Sequence, residues 1–148
     1  MANNYHASAV LVGDRGALVA GPSGSGKTEL CLALLDHCRL WGEFALIVSD
    51  DQVFLSAARG RLIATAPETI AGLVEVRGLS PQPIRAEPRM VADLFVQLVP
   101  PGEAPRFAEE RMQELAGCSV PRLDLPANDA RHAVTAIAAL LRIAPFRV

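Results

Sequence analysis

An excess of positive charge is missing from this sequence. Its 14 Lys and Arg stand against 16 Asp and Glu, for a formal net charge of −2. The basic footprint of a protein that lives on nucleic acid is therefore absent, and nucleic acid is excluded as the expected partner. Cysteine is sparse: Cys31, Cys38 and Cys118 are an odd number with no C-x-x-C pair, which fits neither a disulfide framework nor a zinc knuckle. A reducing cytoplasm is the expected setting. The opening MANNYHASAVLV lacks the basic segment and apolar run of a signal peptide, and no stretch approaches the ~18 apolar residues of a membrane span. A soluble, unexported protein with no membrane contact is expected. What is present is apolar material: 51% of 148 residues, enough for one core and one domain over residues 1–148.

The pattern along the chain reads as α/β. SAVLV and GALVA flank the polar turn Gly13–Gly16 and predict a hairpin. GPSGSGKT follows, and then ELCLALLDHC places Leu30, Leu34 and Cys38, with Leu32 and Leu35 beside them, at helical spacing. The run EFALIVS predicts a buried strand that delivers Asp50 and Asp51 at its C-terminal end, where open sheets keep their chemistry. QVFLSAA and RLIATAP predict two more strands around Arg59 and Gly60. LVEVRG alternates and predicts a half-buried strand with Glu75 and Arg77 on its polar face, and MVADLFVQLVPP predicts one strand. The polar stretch 102–122 predicts a short helix at Arg106–Ala116, and Asn128 or Asp129 is placed to cap a helix through RHAVTAIAALLRI.

Gly21-Pro22-Ser23-Gly24-Ser25-Gly26-Lys27-Thr28 matches G-x-x-x-x-G-K-S/T between a strand and a helix. Glycines let successive backbone N–H groups turn inward, and the helix N-terminus adds partial positive charge, so the loop suits phosphate oxygens. Gly24 is the glycine whose enlargement is expected to distort the cradle most. Lys27 is placed to reach the β and γ phosphates and Thr28 to ligate Mg²⁺. A P-loop names a nucleotide, not a reaction; a second Mg²⁺ ligand and a group to handle the nucleophile are still required.

Asp50 and Asp51 are adjacent, so one can face the phosphates while the other braces the loop or metal. In an NTPase such an aspartate orients Mg²⁺, and in a kinase it accepts the proton of the attacking hydroxyl; a turn or cap pair is the plain alternative. Glu75 calls for a metal or basic partner, or else pairs with Arg77 at the surface. His6 on spacing alone reads as solvated, His37 and His132 as structural, and Arg111 as part of a solvated face.

Together these residues resemble the catalytic domain of HPr kinase/phosphorylase, the bacterial enzyme that phosphorylates a serine of the phosphocarrier protein HPr. The likeness rests on His6, GPSGSGKTEL with Glu29 after Thr28, the strand ending in Asp50-Asp51, IATAPE at 63–68, and LVEVRGL at 73–79, similar to the family's E-I/V-R-G signature. The resemblance implies a P-loop kinase domain similar to that of phosphoenolpyruvate carboxykinase, with a central mixed β-sheet and flanking helices, usually a hexamer. It implies ATP and Mg²⁺ as cofactors and HPr as partner. It implies further that Lys27 binds phosphates, Thr28 and Glu75 hold Mg²⁺, Asp51 is the base, His6 stands near the phosphates, and Arg111 in EERMQELAG is the catalytic arginine of a D-R-L-G setting; Asp50, from its place at the same strand end, is expected as a further metal ligand. The family's reverse reaction, phosphorolysis of phosphoserine to pyrophosphate, would use Asp51 as acid.

The glycine-rich continuation of the signature is replaced by Leu79-Ser80-Pro81-Gln82-Pro83, and the family's P-G-R-N loop by Pro126-Ala127-Asn128-Asp129-Ala130-Arg131. The chain is similar to the short form of some proteobacteria, which lacks the family's N-terminal domain and serves a nitrogen-related phosphotransferase system. A P-loop NTPase or regulatory module without a protein substrate is the competing class, although the N-K-x-D motif of a guanine switch is absent. A small-molecule kinase would need a lid and a monophosphate site, for which few residues remain.

Overall fold

The computed structural model describes residues 3–107 and 109–147. Alternating small and branched apolar residues in the first hairpin set its layering, because successive strand side chains face opposite ways. Strand β1 spans Asn3–Tyr5, β2 Ala7–Val12 and β3 Arg15–Ala20; β2 and β3 pair antiparallel with Ala7 opposite Ala20. Val10, Val12, Ala17 and Val19 face one core, and Ala7, Ala9, Leu18 and Ala20 a second. Helix α1 spans Lys27–Trp41 and buries Leu30, Cys31, Leu34 and Cys38 in the first core. Strand β4, Ala45–Ser49, returns beside β2.

The second core lies beneath a smaller antiparallel sheet. Strand β5 (Val53–Ala58) and β6 (Arg61–Thr65) form the expected hairpin. Only Leu73–Val74 of LVEVRG is strand, β7, paired with β8 at Gln82–Pro83. The longer strand expected there ends because the Glu75 N–H donates to the Asp50 carboxylate instead of a neighbouring strand. MVADLFVQLVPP is two strands: β9 (Arg89–Ala92) completes the order β1-β5-β6-β9, while β10 (Leu94–Val99) enters the main sheet beside β3. Asp93 makes the break: its N–H donates to the Gly16 carbonyl while its carboxylate accepts the Gly16 N–H. Gly16 permits this crossing, since a Cβ there would stand 2.0 Å from the Val91 carbonyl oxygen.

The helix expected at Arg106–Ala116 is overturned. Arg111–Leu115 is strand β11, and β12 runs Cys118–Pro126 antiparallel to it. Ala116 and Gly117, at φ 50° and 79°, form the turn; positive φ at both central positions matches the right-handed strand twist and closes a tight hairpin. Helix α2, Ala130–Leu141, packs beside α1, and Asp129 rather than Asn128 caps it by accepting the His132 N–H. The main sheet therefore runs β11-β12-β10-β3-β2-β4, mixed in direction, with both helices on one face and the small sheet against the other. This is the α/β arrangement with flanking helices expected from the sequence. No helix among the described residues is long and apolar enough to cross a membrane.

Candidate active site

The sheet order brings three chain segments to one end. Strands β3 and β4 end there, at Ala20 and Ser49, and antiparallel β2 begins there, at Ala7. The P-loop leaves β3, Asp50 and Asp51 leave β4, and His6 enters β2. Hairpin geometry therefore carries His6 from 15 positions before Gly21 to the side of the phosphate loop, which its position near the start of the chain does not suggest.

Gly26 begins α1 at φ 93°, and no side chain caps the helix. The first-turn N–H groups are thus free of side-chain competition and face the loop's concave side, as an anion requires. Gly24, at φ 83°, has open space for at least 4 Å around the point where a Cβ would stand, whereas a Cβ on Gly26 would lie 3.1 Å from Asn128 Oδ1 and one on Gly21 2.6 Å from Ser25 Oγ. The tight positions of the cradle are therefore Gly21 and Gly26, and Gly24 is demanding through its backbone alone. Ser25 Oγ is buried with no partner among the described residues.

Lys27 is only 6% exposed. Its Nζ donates to the carbonyls of Gly21 (2.9 Å) and Pro22 (3.3 Å) and stands 3.4 Å from Asp51 Oδ1. The same Asp51 oxygen lies 2.6 Å from His6 Nε2. Asp51 is half exposed and adopts φ 66°, a left-handed conformation that aspartate tolerates better than most residues. Asp50 is its opposite: buried, with Oδ1 accepting from Thr28 Oγ1 (2.7 Å) and Ser8 Oγ (3.1 Å), and Oδ2 from the Glu75 N–H (2.9 Å). Three donors offset the cost of burying that carboxylate. Of the adjacent pair, Asp51 thus lines the cleft while Asp50 lies behind it, held by Thr28, Ser8 and the Glu75 N–H.

The cleft is about 400 Å³ and is lined by Ser23, Gly24, Lys27, Thr28, Asp51 and Glu75, among others. Asp50, expected beside a metal, does not line it and instead holds Thr28. Thr28 and Glu75 offer hard oxygen donors at one cleft, and no group of three or more His, Cys, Asp or Glu among the described residues forms a cation cage. A sparse oxygen set of this kind suits Mg²⁺, which keeps several waters and takes its remaining ligands from nucleotide phosphates.

Arg111 is not brought to this cleft. It lies on β11 at the opposite edge of the sheet from β4, where Nη1 binds Asp124 Oδ2 at 2.8 Å, and it lines a separate cavity of about 170 Å³ with Arg106, Arg122 and His132. Two residues of the first cleft's surroundings escaped sequence reasoning. Ser8 is the lone polar residue within the apolar run ASAVLV, two positions from His6. Asn128, at φ 55°, donates its N–H to the Ser25 carbonyl and so ties the start of α2 to the P-loop.

Residues 1–144 match the family model for the HPr serine kinase C-terminal domain. A curated HPr kinase/phosphorylase from Chlorobium phaeobacteroides is 26% identical over 140 residues, covering 86% of this chain and 40% of that protein. One from Mycoplasma mycoides subsp. mycoides is 32% identical over 74 residues, covering 50% and 22%, and one from Xanthomonas campestris 41% identical over 64 residues, covering 43% and 19%. The chain thus spans well under half the length of these relatives. The solved HPr(Ser) kinase/phosphatase of Coxiella burnetii superposes with a TM-score of 0.79 at 24% identity, covering 95% of this chain and 88% of that one, a likeness of fold. With the family match running through both the P-loop and the paired aspartates, the chain belongs to the HPr serine kinase C-terminal domain family.

Proposed function

We propose that this chain transfers the γ-phosphate of ATP, with Mg²⁺, to a serine hydroxyl of HPr. The observation that carries the reading is the placement of Asp51: half exposed at the mouth of the phosphate cleft, 3.4 Å from Lys27 and 2.6 Å from His6. A nucleotide-binding module alone has no need of a solvent-facing carboxylate beside its phosphate-binding lysine.

The residues act as follows. The amides of the loop and of the first turn of α1 bind phosphate oxygens, and Lys27 adds a buried positive charge whose direction is set by the Gly21 and Pro22 carbonyls. Thr28 and Glu75 would hold Mg²⁺, which when bound neutralises charge on the transferring phosphoryl group. Asp50 fixes the Thr28 hydroxyl. Asp51 takes the proton of the incoming serine hydroxyl, and His6 and Lys27 hold that carboxylate on the cleft side. In the reverse direction the same carboxyl returns the proton to the serine. Arg111, held by Asp124 away from the cleft, has no part in these steps within one chain.

Incubation of the protein with γ-labelled ATP, Mg²⁺ and HPr tests the reading. Label on an HPr serine is the expected result; release of free phosphate with unlabelled HPr would favour the NTPase module instead. Seryl-phosphorylated HPr incubated with inorganic phosphate should yield pyrophosphate if the reverse reaction persists with the altered loops at 79–83 and 126–131. The cytoplasmic setting and the hexameric assembly belong to the same proposal, and light scattering at micromolar concentration checks the assembly.

A further inference from the structure

We infer that Ser8 is a positioning residue that locks the proton-accepting aspartate to the metal-side aspartate, an assignment that rests on the kinase reading above. Ser8 is fully buried in β2, on the strand face shared with Val10 and Val12. A serine there would normally face an apolar core, and its hydroxyl needs partners. It has two, and they are consecutive residues of another segment. Ser8 Oγ donates to Asp50 Oδ1 at 3.1 Å and accepts the N–H of Asp51 at 2.9 Å.

Each bond has a distinct consequence. The first shares the Asp50 oxygen that also receives Thr28 Oγ1, so Ser8 helps orient the carboxylate that holds a proposed Mg²⁺ ligand. The second pins the backbone of Asp51 where it adopts φ 66°, a left-handed conformation that is strained for a residue with a side chain and persists when neighbours enforce it. Released from that bond, the 50–51 peptide can relax toward ordinary backbone angles, which swings the Asp51 carboxylate off the line between His6 and Lys27. One hydroxyl thereby joins the two halves of the site. A displacement of about 1 Å in a reacting group costs on the order of 10²-fold in rate, whereas the loop amides that bind nucleotide do not depend on Ser8.

Ser8→Ala and Ser8→Thr, compared with the wild type in transfer from ATP to HPr, give the test. Ser8→Ala should lower kcat by about 10- to 100-fold and leave KM for ATP within about twofold, the signature of an interaction needed in the transition state. Ser8→Thr keeps the hydroxyl and should recover most of the rate. Amide hydrogen exchange at Asp51, read by NMR, should quicken at least tenfold in Ser8→Ala and stay slow in Ser8→Thr. That readout requires no activity, so wild-type protein that fails to label HPr sinks the kinase reading while exchange still decides the role of Ser8. Wild-type kcat in Ser8→Ala, or unchanged Asp51 exchange, overturns the assignment. A loss of rate matched by equal losses in ATP affinity and melting temperature, and not recovered by threonine, overturns it too, in favour of simple packing. Should Ser8→Ala not fold, Ser8→Cys, with weaker hydrogen bonding in a similar shape, is read in the same way and should fall between wild type and the loss stated for alanine.

Discussion

Two ends of the main sheet carry clustered charge, and they use it in opposite ways. At the β2–β3–β4 end, Lys27 and His6 converge on one half-exposed carboxylate, Asp51, beside an uncapped helix N-terminus and a cleft of about 400 Å³. At the β11–β12 end, Arg111 and Arg122 each hold one oxygen of Asp124 at 2.8 Å, Arg122 also donates to Gln113, and its guanidinium lies 5.8 Å over the Phe95 ring. Asp124 is 10% exposed, so its charge is satisfied within the fold. A count of charged residues therefore does not find a site. Charge held open to a cleft beside a phosphate loop does: the cavity at the second end also has carboxylates in its lining, Asp124 and the exposed Glu109, but no such loop adjoins it.

The sharpest way to break this contrast is Asp51→Asn. The amide keeps the size of the side chain but cannot take a proton, so transfer to HPr should fall by about 10²- to 10⁴-fold while ATP binding, followed by calorimetry, stays close to wild type. Transfer at the normal rate would leave the first end a binding site only. Gly26→Ala probes the cradle without touching a charge. It forces alanine to φ 93° and brings a Cβ within 3.1 Å of Asn128 Oδ1, and should weaken ATP binding by about tenfold or more, since such backbone strain is worth on the order of 1–2 kcal/mol.

Asp124→Ala addresses the other end. It leaves Arg111 and Arg122 without their shared carboxylate, and Arg122 is only 20% exposed. Stability in urea should drop by about 1–3 kcal/mol, the scale of a partly buried charged group losing its hydrogen bonds, with ATP affinity unchanged. A weakened affinity would show that the two ends are not separate.

The first end was legible in the sequence and the second was not, for a physical reason. A P-loop is local: its glycines, lysine and helix are contiguous, so spacing alone announces Gly21–Thr28. The convergence of His6 and Asp51 is not local, because it depends on the β2–β3 hairpin setting Ala7 against Ala20 and on β4 lying beside β2. The likeness to a known family supplied that convergence where spacing could not. The stretch 106–116 looks polar and helical, and the hairpin signal is hidden by Ala116 adopting φ 50° where glycine or asparagine is usual; Arg111 was set at the phosphates only by its likeness to the family's D-R-L-G setting, and β11 carries it to the far edge of the sheet instead. Glu75 reached the cleft as expected, but through the backbone bond to Asp50 that ended its strand early. Ser8 was overlooked because a single serine in an apolar run carries no period of its own.

The smallest effect concerns ionisable groups that neither end supplies with partners. Burial pushes the Cys38 thiol up to about 11, with Glu43 adding to the rise, and burial lifts Cys31 further, with Asp50 contributing. A thiol raised in the folded state holds its proton there after the unfolded chain has begun to lose it. Its stabilisation is therefore complete below the unfolded value of 9.0 and declines as pH climbs through the folded one. For Cys38 the decline falls between about pH 9 and 11, and should amount to roughly 2 kcal/mol at most. Urea unfolding of Cys38→Ala against wild type across this range isolates the thiol: the gap between the two proteins should shrink as pH rises. A constant gap would mean that Cys38 contributes packing alone. Any alkaline loss of stability from the core of α1 would then fall to Cys31, the thiol that burial raises further.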